Sequence, residues 1–188
     1  MPRIIIGITG ASGAIYGIRF LEVSRELGIE SHLIITKNAK EMFSIETDYD
    51  VNHVESLASH VYGIQDMKAP IASGSFKTDG MVIVPCSMKT LAGIASGYCD
   101  NLLLRAADVC IKEQRRLALV PRETPLSSIH LENMLKLAKI GICILPASPP
   151  FYNKPETIDA LINHVVGRIL DIFGIEHKLY ARWGSSEE

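Results

Sequence analysis

This sequence of 188 residues lacks an excess of either charge, a long apolar run and the parts of a secretory leader. With 19 Lys and Arg residues against 21 Asp and Glu residues, its net charge is −2. This balance indicates no general affinity for nucleic acid or for an anionic membrane. No apolar run approaches the ~20 residues that a membrane span needs, and no leader pattern precedes the first apolar segment. We therefore expect a soluble, cytoplasmic protein.

Disulfide and metal spacings are also missing. The 4 cysteines contain no Cys-x-x-Cys pair, and each stands in or beside an apolar run. In such a setting a free thiol behaves as a small apolar side chain. We expect plain burial for these four residues: Cys86, Cys99, Cys110 and Cys143.

The pattern of apolar runs predicts the fold. Runs without polar alternation indicate strands buried on both faces; they lie at 3–9, 31–36, 81–85, 117–121 and 141–146. Helical patterns lie between and after them, at 14–27, 39–45, 51–59, 102–114, 128–139 and 157–173. This alternation predicts an α/β fold, a doubly wound parallel sheet in a Rossmann or flavodoxin-like three-layer sandwich. We expect a single domain over 1–188, with a C-terminal tail from about 175 that extends from the body and frays.

Helix boundaries have their own signals in the sequence. Capping residues predict helix starts at Asn101 and Ser128, and the last helix is expected to take Pro155 and Glu156 into its first turn. Glycines predict helix ends; they are Gly28, Gly141 and Gly174.

The loop after the first strand predicts a phosphate site. Gly10 and Gly13 flank Ala11 and Ser12, and the next helix begins directly afterwards. Small residues let the backbone approach a phosphate, and a helix N-terminus offers free N–H groups. The spacing is neither that of a dinucleotide fingerprint nor that of a Walker motif, which favours a mononucleotide. A tight turn without a ligand is the alternative.

Polar residues also follow the later strands, at the edge where parallel sheets bind ligands. Ser87 and Thr90 form either a second polar cradle or a helix cap, and Thr36 is expected to be a cap. Arg122 and Glu123 stand between two prolines, either as a ligand site or as a mutual ion pair.

Further along the chain, the proline-rich segment 146–155 presents Phe151 and Tyr152. Arg105, Lys112 and Arg168, taken singly, are ordinary solvated helix residues.

Together these segments resemble the UbiX/Pad family of flavin prenyltransferases, formerly called phenylacrylic acid or 3-octaprenyl-4-hydroxybenzoate carboxy-lyases. The resemblance covers nearly the whole chain. It rests on the segments GITGASGAIYG, VPCSMKTLAGIASGY, LVPRETPLS, IHLENM and FYNKPETID. Members of this family have the homo-oligomeric flavin-containing decarboxylase-like fold.

The resemblance implies an activity and partners. Family members transfer a dimethylallyl group from dimethylallyl monophosphate to reduced FMN, forming bonds at flavin N5 and C6. The product, prenylated FMN, serves a UbiD-type decarboxylase. The family assembles as a homododecamer, which implies that Lys112 or Arg105 reaches the site from a neighbouring chain.

The resemblance also implies roles for particular residues. For FMN it implies Gly10, Ala11, Ser12, Thr36, Ser87, Met88, Lys89, Thr90 and Arg122. For the prenyl phosphate it implies Lys112, Arg122, Tyr152 and Arg168, and for catalysis Ser12, Glu46 and Glu123. Phe76 and Tyr152 are expected to offer π faces to a developing allyl cation. Asp48 and Asp50 do not supply the aspartate cluster by which prenyl-diphosphate enzymes hold Mg²⁺, so we expect no metal.

Three alternatives stay open at this point. One is a subunit of an aromatic (phenolic) acid decarboxylase. Another is a flavin-dependent cysteine decarboxylase, although segment 146–153 lacks the Pro-x-Met-Asn-x-x-Met motif of those enzymes. The third is an FMN carrier, which leaves Lys112, Tyr152 and Arg168 without a role.

Overall fold

The computed structural model describes residues 1–184, which form one six-stranded parallel sheet between two layers of helices. The strands are β1 (Arg3–Ile8), β2 (Glu30–Ile35), β3 (His60–Tyr62), β4 (Gly80–Cys86), β5 (Arg116–Pro121) and β6 (Cys143–Ile144). Their order is β3-β2-β1-β4-β5-β6, the order of a Rossmann sheet. The predicted fold class is confirmed, and the switch point of the sheet lies between β1 and β4.

Seven helices cover the sheet in the described part of the chain. They are α1 (Ala14–Glu26), α2 (Lys37–Glu46), α3 (Val51–Ser56), α4 (Met88–Ser96), α5 (Leu102–Lys112), α6 (Ser128–Lys139) and α7 (Ile158–Phe173). Helices α1, α2, α3 and α7 pack on one face of the sheet, and α4, α5 and α6 pack on the other. Within residues 1–184, no helix has the length and apolar character that crossing a membrane requires.

The central strand β1 shows why the sheet is buried on both faces. Ile4, Ile6 and Ile8 join the core on the α1 and α7 side, whereas Ile5 joins the core on the α5 side. Burying each such side chain stabilises the folded state by about 1.5–3 kcal/mol. A strand that must be apolar on both faces therefore shows no alternation in its sequence.

Three elements differ from the sequence prediction. Strand β3 was not predicted, because an exposed three-residue edge strand carries no buried run. Helix α4 is absent from the predicted helices, because it is short and follows the Pro-Cys-Ser segment without a break. Strand β6 has two residues instead of the predicted six, although Leu145 N–H and Ala147 N–H still donate to Leu119 and Pro121 of β5.

The helix ends confirm some boundary predictions and correct others. Asn101 caps α5, with its side chain accepting from Leu104 N–H at 3.0 Å. The cap of α6 is Ser127 rather than Ser128, and the cap of α7 is Thr157, so Pro155 and Glu156 precede that helix. The three predicted stop glycines all have positive φ; they are Gly28, Gly141 and Gly174.

The cysteines are free thiols, as expected. Cys86 and Cys110 are buried, and burial raises the pKa of Cys110 to about 12. Cys99 and Cys143 are only partly buried, so the prediction of burial holds fully for two of the four residues.

Candidate functional site

The loops after β1 and β4 are held together by one buried threonine. The hydroxyl of Thr9 donates to the carbonyl oxygen of Pro85 at 2.8 Å and accepts from Ser87 N–H at 2.8 Å. Only 1% of Thr9 is exposed. Because these loops follow neighbouring strands at the switch point, this side chain sets the spacing of the crevice where such sheets bind ligands.

We predict that Thr9→Val destabilises the protein by about 1–3 kcal/mol, since Ser87 N–H loses its partner and the carbonyl of Pro85 keeps only the longer bond from Thr9 N–H (3.3 Å). The same substitution should weaken the binding of FMN, because Ser87 loses the hydrogen bond that fixes its position. Urea denaturation and a titration of FMN fluorescence measure the two effects. Thr78→Val is the matched control: Thr78 lies at the other edge of the sheet and accepts one long bond from Arg115 (3.4 Å). Equal losses in both variants would contradict the role of Thr9.

A cavity of about 450 Å³ opens between these loops and the N-termini of α2 and α4. Thr36 and Ser87 cap the two helices, their side chains accepting from Ala39 N–H and Thr90 N–H. Helix N-termini favour negative charge. The predicted residues that line this cavity are Gly10, Thr36, Ser87, Lys89 and Thr90. The structure thus brings together residues from three separate loops.

Gly10 is required in the wall of this cavity. A Cβ atom at Gly10 would lie 2.5 Å from Cβ of Asn38, closer than two carbon atoms can approach. Glycine therefore lets the first loop contact the start of α2. Ala11 is buried and Met88 packs against the core beneath α4, and neither is among the residues that line this cavity.

The N-terminus of α1 does not offer its free N–H groups to a ligand, contrary to the sequence interpretation. The carboxylate of Glu46 accepts from Gly13 N–H at 2.8 Å and from Ala14 N–H at 3.0 Å. An anion at these two groups would have to displace that carboxylate. The glycine loop therefore contributes to the cavity through Gly10, and the helix N-termini that face the cavity are those of α2 and α4.

Glu46 belongs to a polar cluster with Ser12 and Arg122. Arg122 Nε donates to the carbonyl oxygen of Ser12 at 3.1 Å. Burial is the largest single influence on the pKa of Glu46, and it acts to raise that pKa. Hydrogen bonds from Ser12, Ala14 and Gly13, together with the charge of Arg122, outweigh burial and lower the pKa of Glu46. This carboxyl is therefore ionised at neutral pH.

Glu123, the second acidic residue predicted for proton handling, stands apart from this cluster. It is exposed, and its carboxylate accepts from Thr124 N–H at 3.1 Å. Arg122 does not form the ion pair with Glu123 that was the alternative, because it bonds to the first loop.

A second cavity, of about 360 Å³, lies beyond the end of β6. Its walls are mostly apolar, and it is lined by both Tyr152 and Arg168. The hydroxyl of Tyr152 lies 3.2 Å from Nε2 of His164. Burial, with the charge of Arg168, lowers the pKa of His164, so this imidazole is neutral at neutral pH. The remaining lining residues are Leu145, Pro146, Ser148, Pro150, Val165, Tyr180, Arg182 and Trp183.

The segment 175–184, here named the C-terminal strap, folds back on α7 instead of fraying. Three of its side chains donate to the carboxylate of Asp171, namely His177 (3.2 Å), Arg182 (2.7 Å) and Tyr180. Trp183 contacts Tyr152 edge to face, with ring centroids 5.0 Å apart. The sequence interpretation missed the strap, although five aromatic or basic side chains in ten residues are unusual for a fraying tail. Residues 185–188 lie outside the described part of the chain.

We predict that the strap resists acid down to about pH 3. Burial acts to raise the pKa of Asp171, but hydrogen bonds from Arg182, Tyr180 and His177 lower it to about 2 from 3.8. A depressed carboxyl stabilises the folded state by about 2 kcal/mol above pH 4, and this contribution is lost as pH falls through about 2. Urea denaturation of the wild type and of Asp171→Asn should therefore differ most at neutral pH, with the gap closing between pH 4 and pH 2. A constant gap over that range would contradict the assignment.

Lys112, Arg105 and Phe76 do not join Tyr152 and Arg168 within one chain. Lys112 ends α5, just before β5 begins, so it lies at the amino edge of the sheet, where its ammonium pairs with Glu113 at 2.5 Å. Arg105 pairs with Asp108 on the same helix. Phe76 lies under the guanidinium of Arg3, at the same edge. Both cavities lie at the carboxyl edge, so Lys112 and Phe76 lie away from them within one chain.

The fold and the cavities together define a class of protein. A sheet of Rossmann order, with a cavity between two helix N-termini at its switch point, is typical of an α/β protein that binds a mononucleotide. The family model described as "Flavoprotein" matches residues 1–170. The chain therefore belongs to the flavoprotein family.

Individual relatives narrow this class. Flavin prenyltransferase LpdB of Lactiplantibacillus plantarum is 54% identical over 184 residues, covering 97% of this chain and 98% of that protein. The structure of AnUbiX (PadA1) in complex with FMN and dimethylallyl pyrophosphate is 50% identical, with a TM-score of 0.96 over 99% of both chains. A dodecameric FMN-dependent Ubix-like decarboxylase from Escherichia coli O157:H7 is 52% identical, with a TM-score of 0.95 over 97% of this chain and 100% of that chain. Within the flavoproteins, the chain belongs to the UbiX-like flavin prenyltransferases.

Proposed function

We propose that this protein transfers a dimethylallyl group from dimethylallyl monophosphate to N5 and C6 of reduced FMN. Its product, prenylated FMN, then serves a UbiD-type decarboxylase. We place the activity in the cytoplasm and in a single FMN-binding domain spanning 1–188. The observation that carries the proposal is the arrangement of two cavities at one sheet edge. One is suited to a mononucleotide, and the other is apolar with Tyr152 and Arg168 in its wall.

The first cavity fits FMN. Its helix N-termini favour a phosphate, and Gly10 leaves no side chain in the way. Thr36, Ser87, Lys89 and Thr90 would hold the cofactor, with Ser12 and Arg122 beside it. When bound, reduced FMN supplies the nucleophilic N5 and C6 atoms that take up the prenyl group.

The second cavity fits a small alkenyl phosphate. Leu145, Pro146 and Val165 offer apolar contact to the five-carbon chain, and the ring of Trp183 offers a π face in place of Phe76. As the allylic C–O bond breaks, its electron pair goes to the phosphate. Arg168 and the hydroxyl of Tyr152 stabilise the charge that develops there.

Arg122 follows the strand that lies between the two cavities, although its side chain lines neither of them. It follows β5, the strand between β4, whose loop lines the first cavity, and β6, whose loop lines the second. Its positive charge can therefore support the departing phosphate. Asp50 is engaged elsewhere, since it caps α3 by accepting from Asn52 N–H at 2.6 Å. Protein cations thus take the place of a metal cluster in this proposal.

The assembly we propose is a homododecamer in which a neighbouring chain supplies Lys112. The surface of α6 supports subunit contacts, because Leu131 and Leu135, one turn apart on the same face of the helix, are both more than half exposed. Apolar side chains grouped in this way are typical of protein interfaces.

Mass spectrometry of the flavin tests the proposal. The FMN-loaded protein is incubated anaerobically with dithionite and dimethylallyl monophosphate, and the flavin is then extracted. We expect a gain of one C₅H₈ unit, with one proton leaving together with the phosphate. Unchanged FMN would contradict the transferase and favour an FMN carrier. Release of CO₂ from a phenolic acid, without a UbiD-type partner, would favour the decarboxylase.

A further inference from the structure

Asp171, in the last turn of α7, receives four donors on its two carboxylate oxygens. Oδ1 accepts from His177 and Arg182, and Oδ2 accepts from Arg168 (3.0 Å) and Tyr180. Three of these donors belong to the C-terminal strap, and the fourth is a lining residue of the second cavity. One carboxylate therefore connects the strap to the cavity.

Gly167 gives a second, independent contact between α7 and the strap. It lies one turn before Asp171 and is buried inside the helix. A Cβ atom there would lie 2.6 Å from the ring of Tyr180 and 2.7 Å from that of His177. Glycine in a helix interior costs about 0.5–1 kcal/mol relative to alanine. Here the missing side chain lets the two rings pack directly on the helix backbone.

The strap in turn completes the second cavity. Tyr180, Arg182 and Trp183 all line it, and Tyr180 packs on His164 with ring centroids 4.1 Å apart. His164 in turn contacts the hydroxyl of Tyr152. If the strap left α7, the cavity would lose a whole wall.

We propose that Asp171 is a positioning residue of the prenyl-phosphate site. It holds the strap on α7 and fixes one nitrogen of Arg168, so that the remaining guanidinium nitrogens are directed at the phosphate. This inference rests on the proposed function and adds to it a residue that does not touch the substrate. Removing the carboxylate of Asp171 should therefore weaken the binding of the prenyl phosphate more than it slows the chemical step.

The test uses Asp171→Asn in the full-length, FMN-loaded protein. The amide presents an NH₂ group to two donors, so we expect the strap to detach. Lys178 is exposed within the strap, and trypsin should cleave after it about tenfold faster than in the wild type. KM for dimethylallyl monophosphate should rise about tenfold, while kcat stays within about threefold. Asp171→Glu retains the carboxylate and should recover part of both losses.

Two further variants separate positioning from general destabilisation. Gly167→Leu keeps Asp171 but forces Tyr180 and His177 away, so it should reproduce the faster cleavage and the higher KM. Asp159→Asn makes the same chemical change in the first turn of α7 and should leave both values at the wild-type level.

The outcomes distinguish this inference from the function on which it rests. Wild-type cleavage rates in Asp171→Asn would overturn the role of Asp171 in holding the strap. Faster cleavage with an unchanged KM, and with unchanged affinity for inorganic phosphate by calorimetry, would overturn its role at the site. If the wild type itself transferred no prenyl group, the proposed function would fail. Cleavage and phosphate affinity would still report on Asp171.

Discussion

Lys112→Ala and Arg168→Ala chains, combined in one assembly, should regain about a quarter of wild-type prenyl transfer, although each variant alone is nearly inactive. Each single change removes a cation from the departing phosphate and should lower turnover by about 10²-fold. Lys112 lies at the amino edge of its own sheet, whereas Arg168 lines the second cavity. A site that needs both must therefore take them from different chains. Random mixing leaves about one site in four with both residues intact.

Co-expression with two different affinity tags, followed by purification on both, yields the mixed assemblies for this measurement. The matched control combines Tyr152→Ala with Arg168→Ala. Both residues line the same cavity of one chain, so no mixed site is intact and activity should stay low. Recovery in the control, or none in the Lys112 mixture, would contradict the shared site.

Arg122→Ala should lower kcat for prenyl transfer by about 10²- to 10³-fold. Arg122 is held against the first loop by its bond to the carbonyl of Ser12, and its charge helps to keep Glu46 ionised. The substitution removes positive charge from the strand end between the two cavities. Stopped-flow absorbance of the flavin, in single turnovers at saturating substrate, measures the chemical step directly.

Arg122→Lys separates charge from geometry, because lysine keeps the charge but lacks the planar fork of guanidinium. We expect an intermediate rate. Arg116→Ala is the control, since Arg116 is the exposed first residue of the same strand, at the edge away from the cavities. It should leave the rate unchanged. A wild-type rate in Arg122→Ala would exclude Arg122 from the chemical step.

The fold was predictable because its main signal is local. A parallel strand buried on both faces is a continuous apolar run, and β1, β2, β4 and β5 each carry one. The position of the first cavity was also predictable, because carboxyl ends of parallel strands share one edge. Strand β3 lies at the exposed edge, where burial imposes no pattern, and it was therefore missed.

The site residues also divide into those with local contacts, which were predictable, and those with contacts distant in the chain, which were not. Thr36 and Ser87 are recognisable as helix caps from the sequence, because each bonds to an N–H group only three residues further along the chain. The use of the α1 N-terminus by Glu46 depends on a contact across 33 positions, and that of Arg122 with Ser12 on one across 110. No local pattern encodes such contacts.

By itself, the sequence determined the parallel sheet, the edge at which ligands bind, and a family resemblance that named Tyr152 and Arg168. Only the tertiary structure decided that Glu46 occupies the N-terminus of α1, that Lys112 lies at the far edge, and that the strap closes the second cavity. The reason is physical. Burial and capping act between neighbours in the chain, whereas a hydrogen bond such as that between Tyr180 and Asp171 exists only after the chain has packed.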